Sequence, residues 1–502
     1  MWRRIVIRRK RDGAAEGLAP TVAPNIDSER TSNRQIAGAF GQQLIFRAAG
    51  MVASLLTVTA TTRYLGPSLY GDVTTAVMFV GLWMSLAELG IGAVLVRRVT
   101  SGRGDLERLV RINAGLSVSY CIPLYAVAAA SGTLIYWGDR QVVAMILIVA
   151  ASLTLTTLST CFIPVFLATV RFRAVALSDL LGRSISFALT VILVKYEAGV
   201  LWFAVVQLVP PAVVLVIQGG AAKSIVNCTP IFSIRESWDL LRESLPQTVI
   251  LIIGVLYYRI DGVILSLLSS PDEVGVYGLA FTLTTTVGVL AQFFLSSTLS
   301  TMTGLYARDR QAFTNFISKS LQIMICIGAP VAIVGWMLAG ELIELVGSAA
   351  FVHRGAPTLA ILSLSIAITF VTGVLGQALF AAHDQRFLMN LNLVALVINI
   401  ILNIILVPQH GAQGAAVSLV ATNCIGLLVA TWRLRRRVSI QVPWLFLLRL
   451  TVPLSLCIGA MLALRELPVA AVSVAAATVY LVVNVIVGPV SLRMIRSVVA
   501  RT

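Results

Sequence analysis

Charge is what this sequence has least of. Asp and Glu number 22 in 502 residues, and charged residues of both signs make up 12%. A soluble globular chain carries roughly twice that share, about 25%. The scarcity excludes a cytosolic enzyme, a disordered protein and a nucleic-acid-binding domain, so no nucleic-acid partner is expected. Histidine is scarcer still: the three residues His353, His383 and His410 sit near loops, outside any His/Cys/carboxylate cluster. No metal and no cofactor is therefore expected. The six cysteines (Cys121, Cys161, Cys228, Cys326, Cys424, Cys457) contain no C-x-x-C pair. Five read as small apolar packers inside spans and Cys228 as a loop residue, without a disulfide. No P-loop is present, so the chain does not hydrolyse nucleotide by itself, and no catalytic residue is assigned.

What is present is apolar surface. Hydrophobic residues make up 58% of the chain, and the mean hydropathy is +0.91. Long unalternating apolar runs at this length read as membrane-spanning helices rather than barrel strands. The expected fold is an all-α integral membrane protein of about fourteen transmembrane helices. They fall at roughly 39–61, 72–95, 113–136, 142–168, 174–194, 199–218, 246–268, 275–301, 320–340, 357–381, 388–407, 412–432, 444–464 and 469–490.

The basic residues test this map. Of 38 Lys and Arg, 29 fall on the N-terminal segment, the even-numbered loops and the C-terminal tail. Five (Arg63, Arg140, Lys195, Arg354, Arg465) fall on the odd-numbered loops, and four (Arg47, Arg183, Arg259, Arg449) lie inside or at the edge of spans. The bias predicts that both termini are cytoplasmic. Met1–Gly38 starts with basic residues but has no apolar core after them, unlike a cleavable signal peptide. Its run Arg3, Arg4, Arg8, Arg9, Lys10, Arg11 is expected to lie on an anionic leaflet.

The chain also repeats itself. The loop after the first span reads Arg63-Tyr64-Leu65-Gly66-Pro67-Ser68-Leu69-Tyr70-Gly71, and the loop after the seventh reads Pro271-Asp272-Glu273-Val274-Gly275-Val276-Tyr277. Glu197-Ala198-Gly199-Val200 before the sixth span corresponds to Gly411-Ala412-Gln413-Gly414 before the twelfth. Six spans separate each pair, which predicts two six-helix lobes in the same orientation. The expected organisation is a basic tail (1–38), an N-lobe (39–218), a cytoplasmic linker (219–244) and a C-lobe (245–432). A basic loop (433–443), two C-terminal helices (444–490) and a C-terminal tail (491–502) complete it. Within the linker, Ile234–Ser244 reads as an interfacial helix.

Charges inside spans are expensive, so each is a candidate functional residue. Gln43, Arg47, Gly50, Ser54, Thr57 and Thr61 form one stripe on the first helix; Asp179, Arg183, Ser186 and Thr190 form another on the fifth. Asp179 and Arg183 stand at i, i+4 and can pair. Tyr257 and Asp261 share a face of the seventh helix, whereas Arg259, two residues from Asp261, points elsewhere. Gln292 and Asn399 belong to polar stripes on the eighth and eleventh helices. Stripes in both lobes suit a hydrated cavity, and inter-helix hydrogen bonding is the competing explanation. The expected substrate-contacting residues are Arg47, Arg183, Arg259, Gln43, Gln292 and Asn399. Asp179, Asp261 and Glu88 are assigned to charge pairing or ion coupling, with Glu88 in reach of Arg97 or Arg98. The cationic excess favours an anionic cargo, because guanidinium groups grip phosphate bidentately.

At these residues the chain resembles a known family. Arg63-Tyr64-Leu65-Gly66-Pro67, Ala87-Glu88-Leu89-Gly90-Ile91-Gly92, Tyr258-Arg259-Ile260-Asp261, Asn403-Ile404-Ile405-Leu406-Val407-Pro408 and Gly411-Ala412-Gln413-Gly414-Ala415-Ala416 carry the likeness, over about residues 33–435. It resembles the bacterial polysaccharide and lipid-linked oligosaccharide flippases (O-antigen-translocase-like) of the multidrug/oligosaccharidyl-lipid/polysaccharide exporter superfamily. The resemblance implies two lobes in a V, alternating access, and transfer of a polyprenyl-diphosphate-linked glycan from the inner to the outer leaflet of the bacterial cytoplasmic membrane. A glycan polymerase or ligase of the same pathway is the expected partner, and coupling to H+ or Na+ is an expectation that rests only on the buried carboxylates. The lipid II flippase branch and the drug-antiporter branch remain alternatives. The second span lacks the Arg-rich acidic signature of the former, and the last two spans and the cationic bias differ from the latter. A membrane enzyme of the same pathway would need catalytic groups on a large outer loop, and the outer loops here are short.

Overall fold

Local capping explains where several helices begin. Asp105 accepts from the Arg108 amide, Asp139 from the Gln141 and Val142 amides, Ser233 from the Glu236 amide and Asp309 from the Gln311 and Ala312 amides. Each satisfies donors that a first helical turn leaves unpaired. The computed structural model describes residues 26–169, 171, 173–438 and 444–486, with side chains from residue 45 onward. The basic run of the N-terminal tail and the expected C-terminal tail lie outside the described residues. Among the described residues every regular element is a helix.

In chain order these are α1 (Ile26–Glu88), α2 (Ile91–Thr100), α3 (Leu106–Ile135), α4 (Arg140–Thr160), α5 (Ile163–Thr169) and α6 (Arg173–Lys195). Then come α7 (Val200–Val206), α8 (Val209–Lys223), α9 (Ile234–Leu268), α10 (Pro271–Arg308) and α11 (Arg310–Met337). The last are α12 (Ala339–Val346), α13 (Ala349–Ala381), α14 (Gln385–Arg435), α15 (Trp444–Ala463) and α16 (Val469–Ile486). By contacts the chain forms two units, Met1–Ile45 and Phe46–Thr502. In the first, residues 26–45 are helical. The second holds the remaining elements.

Among the described residues, twelve helical stretches are long and apolar enough to cross a membrane. Two are too long for one crossing: Ile45–Thr100 has 56 residues and Gln385–Arg435 has 51. That is roughly 84 and 77 Å of helix, against a hydrocarbon core of about 30 Å. Helices α1 and α14 each contain one non-helical glycine, Gly66 (φ 70°, ψ −179°) and Gly411 (φ 52°, ψ −129°), near Pro67 and Pro408. Only glycine adopts such angles without strain.

The chain reverses at both glycines. Backwards from Gly66 it follows α10, and Arg47 lies over the Phe293 ring. Forwards it follows α9, with Met78 against Gly262 and Gly90 against Gln247. Helices α9 and α10 lead away from their shared turn at Ser269–Ser270, so both arms of α1 run to the same end. Asp384, just before α14, accepts from Arg433 near its far end, which closes the second hairpin. The twelve stretches therefore make fourteen passes.

In the N-lobe, α3 packs on α4, α4 on α8 and α8 on α6. In the C-lobe, α13 packs on α10, α11 and α14, and α14 on α9. Helices α15 and α16 pair with each other and lean on α11. One core joins the lobes at the Gly66 end, where Leu65, Tyr70, Val73 and Phe79 pack with Val274, Tyr277, Ile343 and Phe351. At the other end the cores are separate. Leu95, Leu109, Phe166 and Leu240 form one, and Met302, Phe313, Phe370 and Leu434 form the other. The lobes are thus joined at one end and part at the end bearing most of the basic loops.

One expectation is corrected here. Ile234–Ser244 is not a separate interfacial helix. It is the first third of α9, which runs as one helix of 35 residues through Pro246. Leu240 from this part packs into the N-lobe core, so α9 itself ties the two lobes together.

Candidate functional site

A glycine lets an arginine lie across a helix. On α1, Gly50 precedes Ser54 by one turn, and Arg183 of α6 crosses both. A Cβ at Gly50 would lie 3.2 Å from Arg183 Cδ and 3.5 Å from Asp179 Oδ2. Arg183 donates from Nη1 to Ser54 Oγ at 2.6 Å and from Nε to Asp179 Oδ1 at 2.9 Å. Its Nη2 has no protein partner among the described residues. The side chains of Arg183 and Asp179 are 38% and 39% exposed, so the pair faces open space rather than core. One turn before Gly50, Arg47 is exposed and stacks 5.0 Å from the Phe293 ring of α10. That contact joins the lobes and is worth about 0.5–1 kcal/mol at an exposed site.

Arg259 uses the same device from the other lobe. Its Cζ, Nε and Nη1 would each lie 3.3 Å from a Cβ at Gly81, so the guanidinium lies flat against the Gly81 backbone. Among the described residues no hydrogen bond or ion pair engages it. Along their helices Ser54 lies roughly 18 Å, Gly81 roughly 22 Å and Arg47 roughly 29 Å from Gly66. The guanidinium groups of Arg183 and Arg259 thus stand at similar depth, with that of Arg47 roughly 7–11 Å further from Gly66, and Asp179 is the one carboxylate bonded to them among the described residues. The arrangement can hold an anion with several acceptor oxygens.

Asp261 belongs to a different environment. It is fully buried, accepts from Asn403 Nδ2 at 2.7 Å and from the Tyr277 hydroxyl at 3.3 Å, and faces away from Arg259. Asn403 Nδ2 also reaches Asn399 Oδ1 at 3.2 Å. Among the described residues Asn403 Oδ1 is buried without a partner, and Asn399 Nδ2 lies near Asp261 without a close hydrogen bond. A carboxylate ringed by amide groups with unused polar atoms is a place where a small cation or a proton can be held.

Other expected site residues are placed differently. Asn399 is fully buried in the Asp261 network and does not line a space open to a large ligand. Glu88 is exposed and does not pair with Arg97 or Arg98. Glu243 takes both instead, reached at 2.5 Å by Nη2 of each. The competing carboxylate comes from the start of α9, far along the chain. Gln292 is exposed on α10, and the Gln43 side chain lies outside the described residues. Glycines 50 and 81 matter more than their residue type suggested, as the places where the two arginines lie down.

The Gly66 end is sealed by a near-symmetric contact. A Cβ at Gly71 would overlap the Pro271 carbonyl oxygen, and one at Gly275 would overlap the Pro67 carbonyl oxygen. Pro67-x-x-x-Gly71 and Pro271-x-x-x-Gly275 are the repeated loops, so the repeat packs on itself. Arg63 Nη2 donates to Leu345 O at 2.7 Å and Thr62 Oγ1 to Val346 O at 3.0 Å, filling carbonyls left open at the end of α12. Tyr136 Oη and Ser266 Oγ add a 2.6 Å hydrogen bond across the seam.

A family model described as "Polysaccharide biosynthesis protein" matches residues 44–302, and the MatE model matches residues 246–405. "Probable flippase AglR" of Haloferax volcanii is 24% identical over 189 residues, 37% of this chain and 40% of that relative's length. Among solved structures, "Lipid II flippase MurJ, inward closed conformation" superposes with a TM-score of 0.74 at 14% identity, over 88% of this chain and 98% of that one. A multidrug resistance MATE family transporter of the MOP superfamily superposes with 0.67 in its inward-facing conformation, over 79% and 98% of the two chains, at 14% identity. An outward-facing structure of such a transporter reaches 0.55 at 14% identity, over 78% and 95%. These likenesses establish a shared fold of two repeated helical lobes. With the model match spanning more than half its length, the chain belongs to the polysaccharide biosynthesis protein family, built on the fold of the MOP-superfamily transporters.

Proposed function

We propose that the protein is a flippase, not an enzyme, and that it carries a polyprenyl-diphosphate-linked oligosaccharide or polysaccharide precursor from the inner to the outer leaflet of the bacterial cytoplasmic membrane. The observation that carries this reading is the set of three guanidinium groups, Arg47, Arg183 and Arg259, contributed by both lobes within roughly 11 Å of depth, with Asp179, bonded to Arg183, as the one carboxylate among them in the described residues. A diphosphate supplies the missing negative charge, and its oxygens match the free edges of planar guanidinium groups. The family and the flippase named among the relatives favour a glycan lipid over a drug. Lipid II presents the same diphosphate and remains the second reading, because the MurJ structure shares the fold.

The bias of the basic residues supports an orientation in which the end where the lobes part, and both termini, face the cytoplasm. In this state the cargo headgroup enters from the cytoplasmic side, and the Gly71–Gly275 contact seals the far side. Alternating access then opens that seal and brings the parted ends together. Asp261, with Asn399, Asn403 and Tyr277, holds the coupling proton or Na+. A polymerase or ligase of the same pathway would receive the cargo.

The test is reconstitution. Proteoliposomes loaded with a polyprenyl-diphosphate glycan should expose inner-leaflet glycan to an external glycosidase only when the protein is present. The rate should fall when proton and sodium gradients are both collapsed. Equal exposure with and without protein would reject the flippase reading, and an unchanged rate without gradients would reject ion coupling.

A further inference from the structure

A second cationic site lies at the basic end of the C-lobe, roughly 20 Å along α10 from Phe293. Tyr306 on α10, Arg310, Gln311 and Thr314 on α11, and Arg437 and Val438 after α14 line a cavity of ≈ 460 Å³. Arg310 Cζ stacks 3.6 Å from the Tyr306 ring centroid, and among the described residues no carboxylate pairs with it. Stacking fixes the guanidinium plane and leaves its N–H edge free. Arg437 reaches Asp384 at 3.2 Å, but Asp384 is already held by Arg433 at 2.7 Å. The Arg433 hydrogen bond keeps the Asp384 carboxyl below its usual range, so this carboxylate is ionised at neutral pH and cancels one of the three charges. Asp309, beside Arg310, caps the Gln311 and Ala312 amides and forms no ion pair with Arg310 among the described residues, so Arg310, Arg433 and Arg437 keep one positive charge in excess of Asp309 and Asp384.

Its depth is marked independently. Arg436 Cζ lies 4.0 Å over the Trp432 ring, and Trp432 is 49% exposed. One turn earlier, Leu428 is 69% exposed. Tryptophan of this kind sits at the lipid headgroup level, with apolar side chains below it against acyl chains. The cavity therefore opens where membrane phosphates lie.

We propose that this cavity binds a phosphate ester anion, presented by the headgroup of an anionic phospholipid. Arg310 and Arg437 grip the phosphate oxygens, and Gln311 and Thr314 add hydrogen bonds. This inference stands whether or not the cargo is a glycan lipid.

The test uses the purified full chain in detergent, with thermal stability read during titration by short-chain phosphatidylglycerol, phosphatidylcholine of equal chain length, and inorganic phosphate. Phosphatidylglycerol should raise Tm saturably and phosphatidylcholine should not. Arg310→Gln with Arg437→Gln should raise the half-saturating concentration roughly tenfold or more, the loss of a charge-assisted bidentate contact. Arg235→Gln with Arg242→Gln, which removes two exposed charges outside the cavity, should leave it unchanged. A full response to inorganic phosphate alone would support the same site with a soluble ligand. An equal response to all lipids, or an intact response in the cavity variant, would overturn the proposal. Should the double variant fail to fold, Arg310→Gln alone carries the test, because Arg310 makes no ion pair.

Discussion

Arg183 shows what a membrane arginine needs in order to be useful. Asp179 and Ser54 hold Nε and Nη1, Gly50 clears its path, and Nη2 stays free. A lysine keeps the charge but has no fork to share between two partners and a ligand. Arg183→Lys should therefore lower the transport rate in proteoliposomes roughly tenfold or more, about 1.4 kcal/mol, at unchanged protein level. Arg47→Ala together with Arg183→Ala should abolish surface glycan, measured by staining of cells that produce normal amounts of the variant. Arg259 depends on Gly81 in the same way, and Gly81→Ala should displace its guanidinium and weaken cargo binding. The i, i+4 pair of Asp179 and Arg183 was legible from spacing alone, because both residues sit on one helix. Ser54 was legible only as part of a stripe, since its partner comes from another helix. The pairing expected for Glu88 did not form, because Glu243 at the start of α9 offered Arg97 and Arg98 a nearer carboxylate. Local sequence holds no trace of that competition.

At the scale of elements, two glycines near the turn of the first 56-residue stretch are required for different reasons. Gly66 has φ 70°, and a Cβ there would meet nothing within 4 Å. Its requirement is conformational, so Gly66→Ala should cost about 1–3 kcal/mol of backbone strain, read as a lower Tm. At Gly71 the requirement is space, and Gly71→Ala drives a methyl into the Pro271 carbonyl. Its effect should fall on the balance of open and closed states more than on Tm. At the far end of α14, the Asp384 carboxyl is held low by Arg433. Its stabilising effect is therefore complete above the ordinary carboxylate pKa of about 3.9 and fades only as pH falls through the lowered value. The Asp384→Asn variant should consequently show the same Tm difference from the intact protein at pH 6 and pH 8. Span positions were legible because hydropathy reports helices in lipid directly. The continuity of α9 through Pro246 was not, since proline at that point predicts a break.

For the whole molecule, the repeat read in the sequence becomes a physical contact. Pro67-x-x-x-Gly71 meets Pro271-x-x-x-Gly275 where the lobes share one core, while the opposite ends keep separate cores. Such a molecule can rock about its middle, provided the glycine contact opens. A wedge should bias it: Gly275→Leu, whose side chain overlaps the Pro67 carbonyl, should raise the reactivity of a Thr74→Cys reporter towards a membrane-impermeant thiol reagent added outside. Unchanged reactivity would remove this contact from the gate. The central claim, that the molecule moves a polyprenyl-diphosphate glycan between leaflets, is tested most directly in cells lacking the protein. Lipids are extracted, glycan-bearing polyprenyl diphosphates are quantified, and their leaflet is read by accessibility to a glycosidase added from the periplasmic side. The account predicts accumulation of protected, inner-leaflet glycan lipid that the intact gene reverses and the Arg47→Ala, Arg183→Ala variant does not. Normal amounts on both leaflets in the absence of the protein would contradict it.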